Sequence, residues 1–330
     1  MEYTHNAKEP QMATVKRSSI KAAVFIITAL LFICLVPNGQ IRAAAAADPA
    51  LLVMPDITDQ ADEGVAALKR QIASLEKIIL LNVPRAEKIP VLLYHHLVKE
   101  DEMTAEQRIN DSVMSVEQFT EQMKFLFDNN YYTASVYELE QYLNGKKILP
   151  ERTVVITFDD GYRSNTKYAY PLLKKYDFQA SIFLITGLIG ERDNVIEHAG
   201  WNDLRKCGDV FSYHSHSHSL HKLVKGGKSS FSLSESSEIT NDLLISKALL
   251  STSYLAYPYG QSSRAGKIAM SNSGYRLAFS TVAAYTKRST DKLEIPRFSI
   301  STNTDIHAFG VICSGKADAS SQAALAQEAS

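Results

Sequence analysis

Three polar clusters in this chain hold residue types that could do chemistry. The first, Thr157-Phe158-Asp159-Asp160-Gly161-Tyr162, sets two carboxylates side by side directly after an apolar run. Adjacent carboxylates repel, so a strand end that keeps both suits a cation on one of them. Asp-Gly is also a common turn signal, and these residues alone leave both readings open. The second cluster runs from Tyr213 to His221 and places four of the nine histidines within eight residues: His214, His216, His218 and His221. Neutral imidazole is the commonest protein metal ligand. The tract lies mid-chain after Val210-Phe211, not at a terminus, which argues against a merely decorative surface tract. The third, Leu255-Ala256-Tyr257-Pro258-Tyr259-Gly260, puts a proline near a glycine. That pairing fixes backbone geometry and can aim an N–H at a ligand, though it is also an ordinary loop signal.

Something must hold these clusters together, and the surrounding pattern supplies it. Ile89 to Tyr94, Thr153 to Phe158 and Ala180 to Thr186 read as short buried strands, with further strands at 276–280 and 294–300. Between them lie helical patterns. Ser115 with Gln118 and Ser135 with Glu138 are capping boxes that open helices. Phe119, Met123 and Leu126 share one face after the first box, and Leu139, Leu143 and the stop Gly145 follow the second. Helices are also expected around 168–176, 235–250 and 264–273. Alternating strands and helices predict an α/β fold with a parallel sheet. In such folds chemistry gathers at the C-terminal strand ends, where the clusters sit.

The chain has 330 residues, 45% of them hydrophobic and 22% charged, with a net charge of −1. These values exclude wholesale disorder and a polytopic membrane protein, and the charge balance argues against nucleic acid or an anionic surface as partner. Cys34, Cys207 and Cys313 are too few for a disulfide framework. A bridge between Cys207 and Cys313 is compatible with an oxidising compartment but nothing demands it. Lys16, Arg17 and Lys21 precede an apolar run from Ala22 to Val36 broken only by Thr28, and Ala43 to Ala47 offer small residues for cleavage. Residues 1–47 therefore read as a signal peptide or membrane anchor, the only part expected to meet a membrane. Residues 48–88 read as a spacer, with a helix on the Val65, Leu68, Ile72, Leu75 and Ile79 stripe. Residues 89–310 form the main domain, and 311–330 a polar tail.

In this order, the three clusters resemble the polysaccharide deacetylases, the NodB-homology family of carbohydrate esterases. The branch acting on poly-N-acetylglucosamine is nearest, because Tyr94-His95-His96 closes an N-terminal strand and Ser215 to His221 follow a Ser-His-Thr-x-x-Leu-His pattern with Ser217 in the Thr place. The resemblance implies a distorted (β/α)7-type barrel and a divalent metal, usually Zn2+, with Co2+, Ni2+ and Fe2+ also compatible. It makes Asp160, His216 and His221 the ligands. Other branches use histidines four apart, which here would select His214 and His218; Ser215 and Leu220 favour the first choice. It makes Asp159 the general base and places the oxyanion at the backbone N–H of Tyr259, beside Pro258. The implied activity is removal of N-acetyl groups from an N-acetylglucosamine polysaccharide by an exported, monomeric enzyme. Peptidoglycan and chitin oligomers are the alternative substrates, and an inactive carbohydrate-binding relative or a His-rich metal-storage protein are readings of another class.

Two departures from the family pattern matter. The C-terminal Leu-x-His that supplies a general acid is missing; Leu93-Tyr94-His95 has the same spacing at the other end, which suggests circular permutation with His95 as the acid. The arginine two residues before the motif proline is Ala256 here, and Arg297 in Ile295-Pro296-Arg297 is the candidate replacement. Trp201, the one tryptophan, is expected as a groove wall for a sugar or as core.

Overall fold

The computed structural model describes residues 84–193, 196–224 and 226–317. The expected leader, the Val65–Ile79 helix and residues 318–330 lie outside them. Among the described residues no helix is long and apolar enough to cross a membrane.

In chain order the principal elements are β1 (Val91–Tyr94), α1 (Val116–Asp128), β2 (Tyr132–Thr133), α2 (Val136–Leu143), β3 (Thr153–Phe158), α3 (Tyr170–Lys175), β4 (Ala180–Leu184), α4 (Trp201–Lys206) and β5 (Phe211–Ser215). Then follow α5 (Ser236–Leu250), β6 (Tyr254–Ala256), α6 (Arg264–Ser273), β7 (Leu277–Phe279), β8 (Phe298–Ser299) and α7 (Ile306–Cys313). Eight strands form one parallel sheet in the order β7-β6-β5-β4-β3-β1-β8, with β2 paired to the start of β3. The stretch leading into β8 also bonds the far edge: Ile295 N–H donates to Ala278 O and Ser280 N–H to Ile295 O, both at 2.8 Å. One segment thus laces both ends of the strand row.

Every residue of β3 and β1 is buried, as strands covered on both faces require. Side chains alternate between two packed layers. Leu92, Ile156, Phe158 and Ile182 pack with α1 and α3 residues such as Phe119, Met123 and Leu173. Val91, Val155, Phe183 and Phe279 face the other way, onto Leu139 and Tyr142 of α2. On α1 the Ser115 hydroxyl accepts from Gln118 N–H and donates to Gln118 Oε1 at 3.2 Å, while Gln118 Nε2 reaches Thr302 O at 3.1 Å, so the reciprocal bond to the Ser115 backbone is not made. On α2 the Ser135–Glu138 box is complete.

Two expectations change. Val311 to Cys313 are not tail: they complete α7, which buries Phe309, Ile312 and Cys313 and is capped by Asp305. Composition hid this helix because it is short and its flanks are small and polar. Cys207 and Cys313 are buried free thiols, not a bridge.

Candidate active site

Asp159 and Asp160 follow β3 directly. Asp159 N–H bonds Tyr94 O at 2.9 Å, so the turn starts in register with β1. Asp160 has φ 69° and Gly161 φ 79°, two successive left-handed residues. Glycine is required at the second, where a Cβ would lie 2.5 Å from the Leu184 side chain. His198 steadies this turn through its Nδ1, 3.0 Å from Asp160 O. His216 follows β5, with its N–H on Leu184 O at 2.8 Å. Strand ends distant in sequence thus deliver an acid pair and an imidazole to one place.

Asp160, His216 and His221 present ligand atoms within 4.8 Å of one another. Asp160 Oδ1 lies 3.5 Å from His216 Nε2 and 3.4 Å from His221 Nε2. His216 Nδ1 sits 2.8 Å from Ala256 O and must be the donor, because a carbonyl only accepts. That contact fixes the ring's orientation and leaves Nε2 as the atom turned toward Asp160. Asp160 Oδ1 is buried and has no hydrogen-bond partner. Burial, then neighbouring His216, push the His221 imidazole down to about 4, so that ring is neutral at physiological pH. Acceptors facing acceptors in a buried site call for a cation, and one carboxylate with two imidazoles suits a divalent metal while leaving positions open. The donor set therefore fits the expected ion.

Asp159 Oδ2 also lies 3.7 Å from His216 Nε2, but both oxygens of this acid are engaged by an arginine. Arg297, completely buried, donates Nη1 to Asp159 Oδ1 and Nη2 to Asp159 Oδ2, each at 2.7 Å. Its Nε donates to Ser280 O at 3.0 Å, and its guanidinium lies against Phe183 and Phe279. Burial alone would raise the Asp159 carboxyl, but Arg297 and His216 outweigh it and hold it at about 2. Asp160 is also held below its ordinary range: burial opposes ionisation, and His95, His221 and His216 overcome it. His95 stands close enough for both acids to favour its protonated form. Its burial outweighs them, with Arg297 and His216 adding to the effect, and the imidazole is pushed down.

The other residues singled out by sequence fall as follows. Tyr259, at φ 57°, stacks its ring on His221 with centroids 4.4 Å apart, and Pro258 before it is buried. His214 turns away from the acids, onto Ser212 and Thr252 hydroxyls, and His218 bonds Thr186 Oγ1. The four-apart register is thus not assembled. Trp201 opens α4 and is 40% exposed, two residues beyond Ala199, whose N–H bonds Gly161 O. Sequence reasoning missed His198 and also Asp242, a buried acid of α5.

Residues 146–278 match the sequence family described as Polysaccharide deacetylase. The chain carries a polysaccharide deacetylase domain. The matched stretch of the deacetylase domain contains Asp159, Asp160, His216, His221 and Tyr259, whereas His95 and Arg297 lie outside it. Across 229 residues the chain is 29% identical to a poly-β-1,6-N-acetyl-D-glucosamine N-deacetylase of Staphylococcus epidermidis, covering 64% of this chain and 78% of that protein. Among solved structures, IcaB from Ammonifex degensii shares the fold with a TM-score of 0.61 at 23% identity, covering 72% of this chain and all of that one (100%). A Streptococcus pyogenes deacetylase, PplD, solved in complex with acetate, has a TM-score of 0.60 at 24% identity, over 68% and 98% of the two chains.

Proposed function

We propose that this protein is a divalent-metal-dependent N-deacetylase acting on an N-acetylglucosamine polysaccharide of the poly-β-1,6 type and releasing acetate. The observation that carries this reading is the division of labour between neighbouring acids: Asp160 Oδ1 faces two imidazoles without a hydrogen bond, while Asp159 is locked to Arg297. The names of the staphylococcal relatives support the choice of polymer.

Asp160, His216 and His221 would hold the ion, for which Zn2+, Co2+, Ni2+ and Fe2+ all suit the donors. Such an ion supplies Lewis-acid polarisation of the acetamide carbonyl and acidifies water. Asp159 takes the proton of the attacking water as general base. Arg297 keeps that carboxylate ionised and fixes its plane, leaving lone pairs free beyond the two it occupies. The N–H of Tyr259 donates to the oxyanion as the carbonyl becomes tetrahedral. His95 hands a proton to the departing amine. Trp201 offers a ring against which a sugar can stack.

Permutation of the barrel is part of this reading. β1, which His95 directly follows, lies between β3 and β8, the position a final strand would take next to the acid-bearing strand. Residues 1–47 are proposed to export the enzyme to the cell envelope, where such a polymer lies.

The test is acetate release from poly-β-1,6-N-acetylglucosamine, chitin oligomers and peptidoglycan in parallel. Release chiefly from the first is expected. Preference for either of the others moves the substrate but keeps the chemistry; no release from any of the three overturns the proposal. Exhaustive chelation should abolish release and added Zn2+ or Co2+ restore it, and activity that survives chelation refutes metal dependence.

A further inference from the structure

Four residues, Ser217 to Leu220, separate the two imidazoles of the centre. Their backbone is gripped from two sides. On one side stands Asp242 of α5, only 5% exposed. Its Oδ1 accepts His218 N–H at 2.7 Å, and its Oδ2 accepts Ser219 N–H at 2.7 Å and the Ser219 hydroxyl at 3.2 Å. No cation pairs with Asp242 among the described residues. A buried carboxylate is acceptor-only and costly unless donors surround it, and the loop supplies three.

The opposite side is the turn after β4. Thr186 N–H donates to Ser217 O at 3.1 Å and Gly187 N–H to His218 O at 3.0 Å. Thr186 Oγ1 also meets His218 Nδ1 at 3.0 Å. Gly187 permits this approach because it lacks a side chain: a Cβ there would lie 2.5 Å from His218 O, a backbone atom with little room to give. Between the two grips Ser217 holds φ 68°, a conformation uncommon for a side-chain-bearing residue. The loop's donors thus go to one partner and its acceptors to another, which fixes its path at both polarities.

We infer that Asp242 and Gly187 are positioning residues of the metal centre. They clamp the intervening loop so that His216 and His221 keep the separation a shared ion requires. This inference rests on the metal reading given above. It also assigns His218 a structural place in the clamp.

The experiment measures Zn2+ affinity of the full chain by competition with a chromophoric chelator, alongside thermal unfolding of the metal-free protein. Asp242→Asn keeps the shape but replaces one acceptor by a donor. It should weaken Zn2+ binding by about 10–100-fold, the range seen when outer-shell partners of metal ligands are removed, while the metal-free protein still unfolds cooperatively. Gly187→Ala strikes the same loop from the other side and should weaken binding in the same direction. Ser219→Ala loses only the longest contact and should bind Zn2+ like the parent. Parent-like affinity in Asp242→Asn overturns the clamp; should that variant not fold, parent-like affinity in Gly187→Ala does so. His221→Ala serves as the separate control. If it binds Zn2+ as tightly as the parent, the metal reading itself fails.

Discussion

Arg297 shows how much one side chain can decide. It reaches Asp159 from β8's approach segment, whereas the third motif carries Ala256. A buried guanidinium in bidentate contact with a buried carboxylate cannot be removed cheaply, because the abandoned acid stays in a low-dielectric site. Arg297→Met should cost about 3–5 kcal/mol of stability, read from denaturant midpoints. Arg297→Lys keeps the charge but not the planar fork. It should retain more stability yet lower turnover by up to about 100-fold through misplacement of Asp159; turnover equal to the parent's would remove Arg297 from the machinery. The histidine tract gives a second residue-scale comparison. His221→Ala should abolish both Zn2+ binding and acetate release, whereas His218→Ala should reduce them less. The reverse ranking would shift the ligand register.

At the scale of elements, strand ends were the most legible feature of the sequence. β3 with its acid pair follows from an apolar run closed by polar residues, whereas β5 and β6 were not assigned as strands, because Phe211–Ser215 mixes apolar and polar residues and Tyr254–Ala256 is only three residues long. The capping boxes of α1 and α2 announced their helices, although Gln118 shares its amide between the Ser115 hydroxyl and Thr302 O and does not complete the box. Asp242 left a signal that went unread: Ile239, Asp242, Leu243 and Ser246 make one buried stripe of α5, so an acid sits inside an apolar face. What could not be read was pairing across distance. Nothing local to Arg297 says that it reaches Asp159, 138 residues away. α7 was overlooked because its apolar stretch is short, yet Phe309 packs edge-on against Phe125 of α1 with ring centroids 5.9 Å apart. Phe309→Ala should therefore destabilise the fold by about 3–5 kcal/mol. A change within a few tenths would mean that α7 is only a surface appendage.

At the scale of the whole molecule, burial of a histidine away from the site shapes the response to acid. His214, turned away from the acids and buried, is pushed down by burial to about 3, against about 6.5 in an unfolded chain. The unfolded chain binds its proton first. Stability present above pH 6.5 should therefore be lost as pH falls toward 3, at up to about 1.4 kcal/mol per pH unit from this group. Asp159, held at about 2, adds loss in the same direction once pH drops below the ordinary carboxylate range. Urea midpoints of His214→Gln should fall less between pH 7 and pH 5 than those of the parent; equal falls would rule out this origin. The proposed catalysis draws on the same whole-chain convergence, since segments near residues 95, 160, 216 and 297 meet only in the folded protein. The most direct test pairs metal content with acetate release in two variants one residue apart. Asp159→Asn should retain one equivalent of metal and release acetate about 10²–10⁴-fold more slowly, while Asp160→Asn should lose the metal itself. Equal metal content in the two variants would contradict the assignment of separate roles to these neighbouring acids.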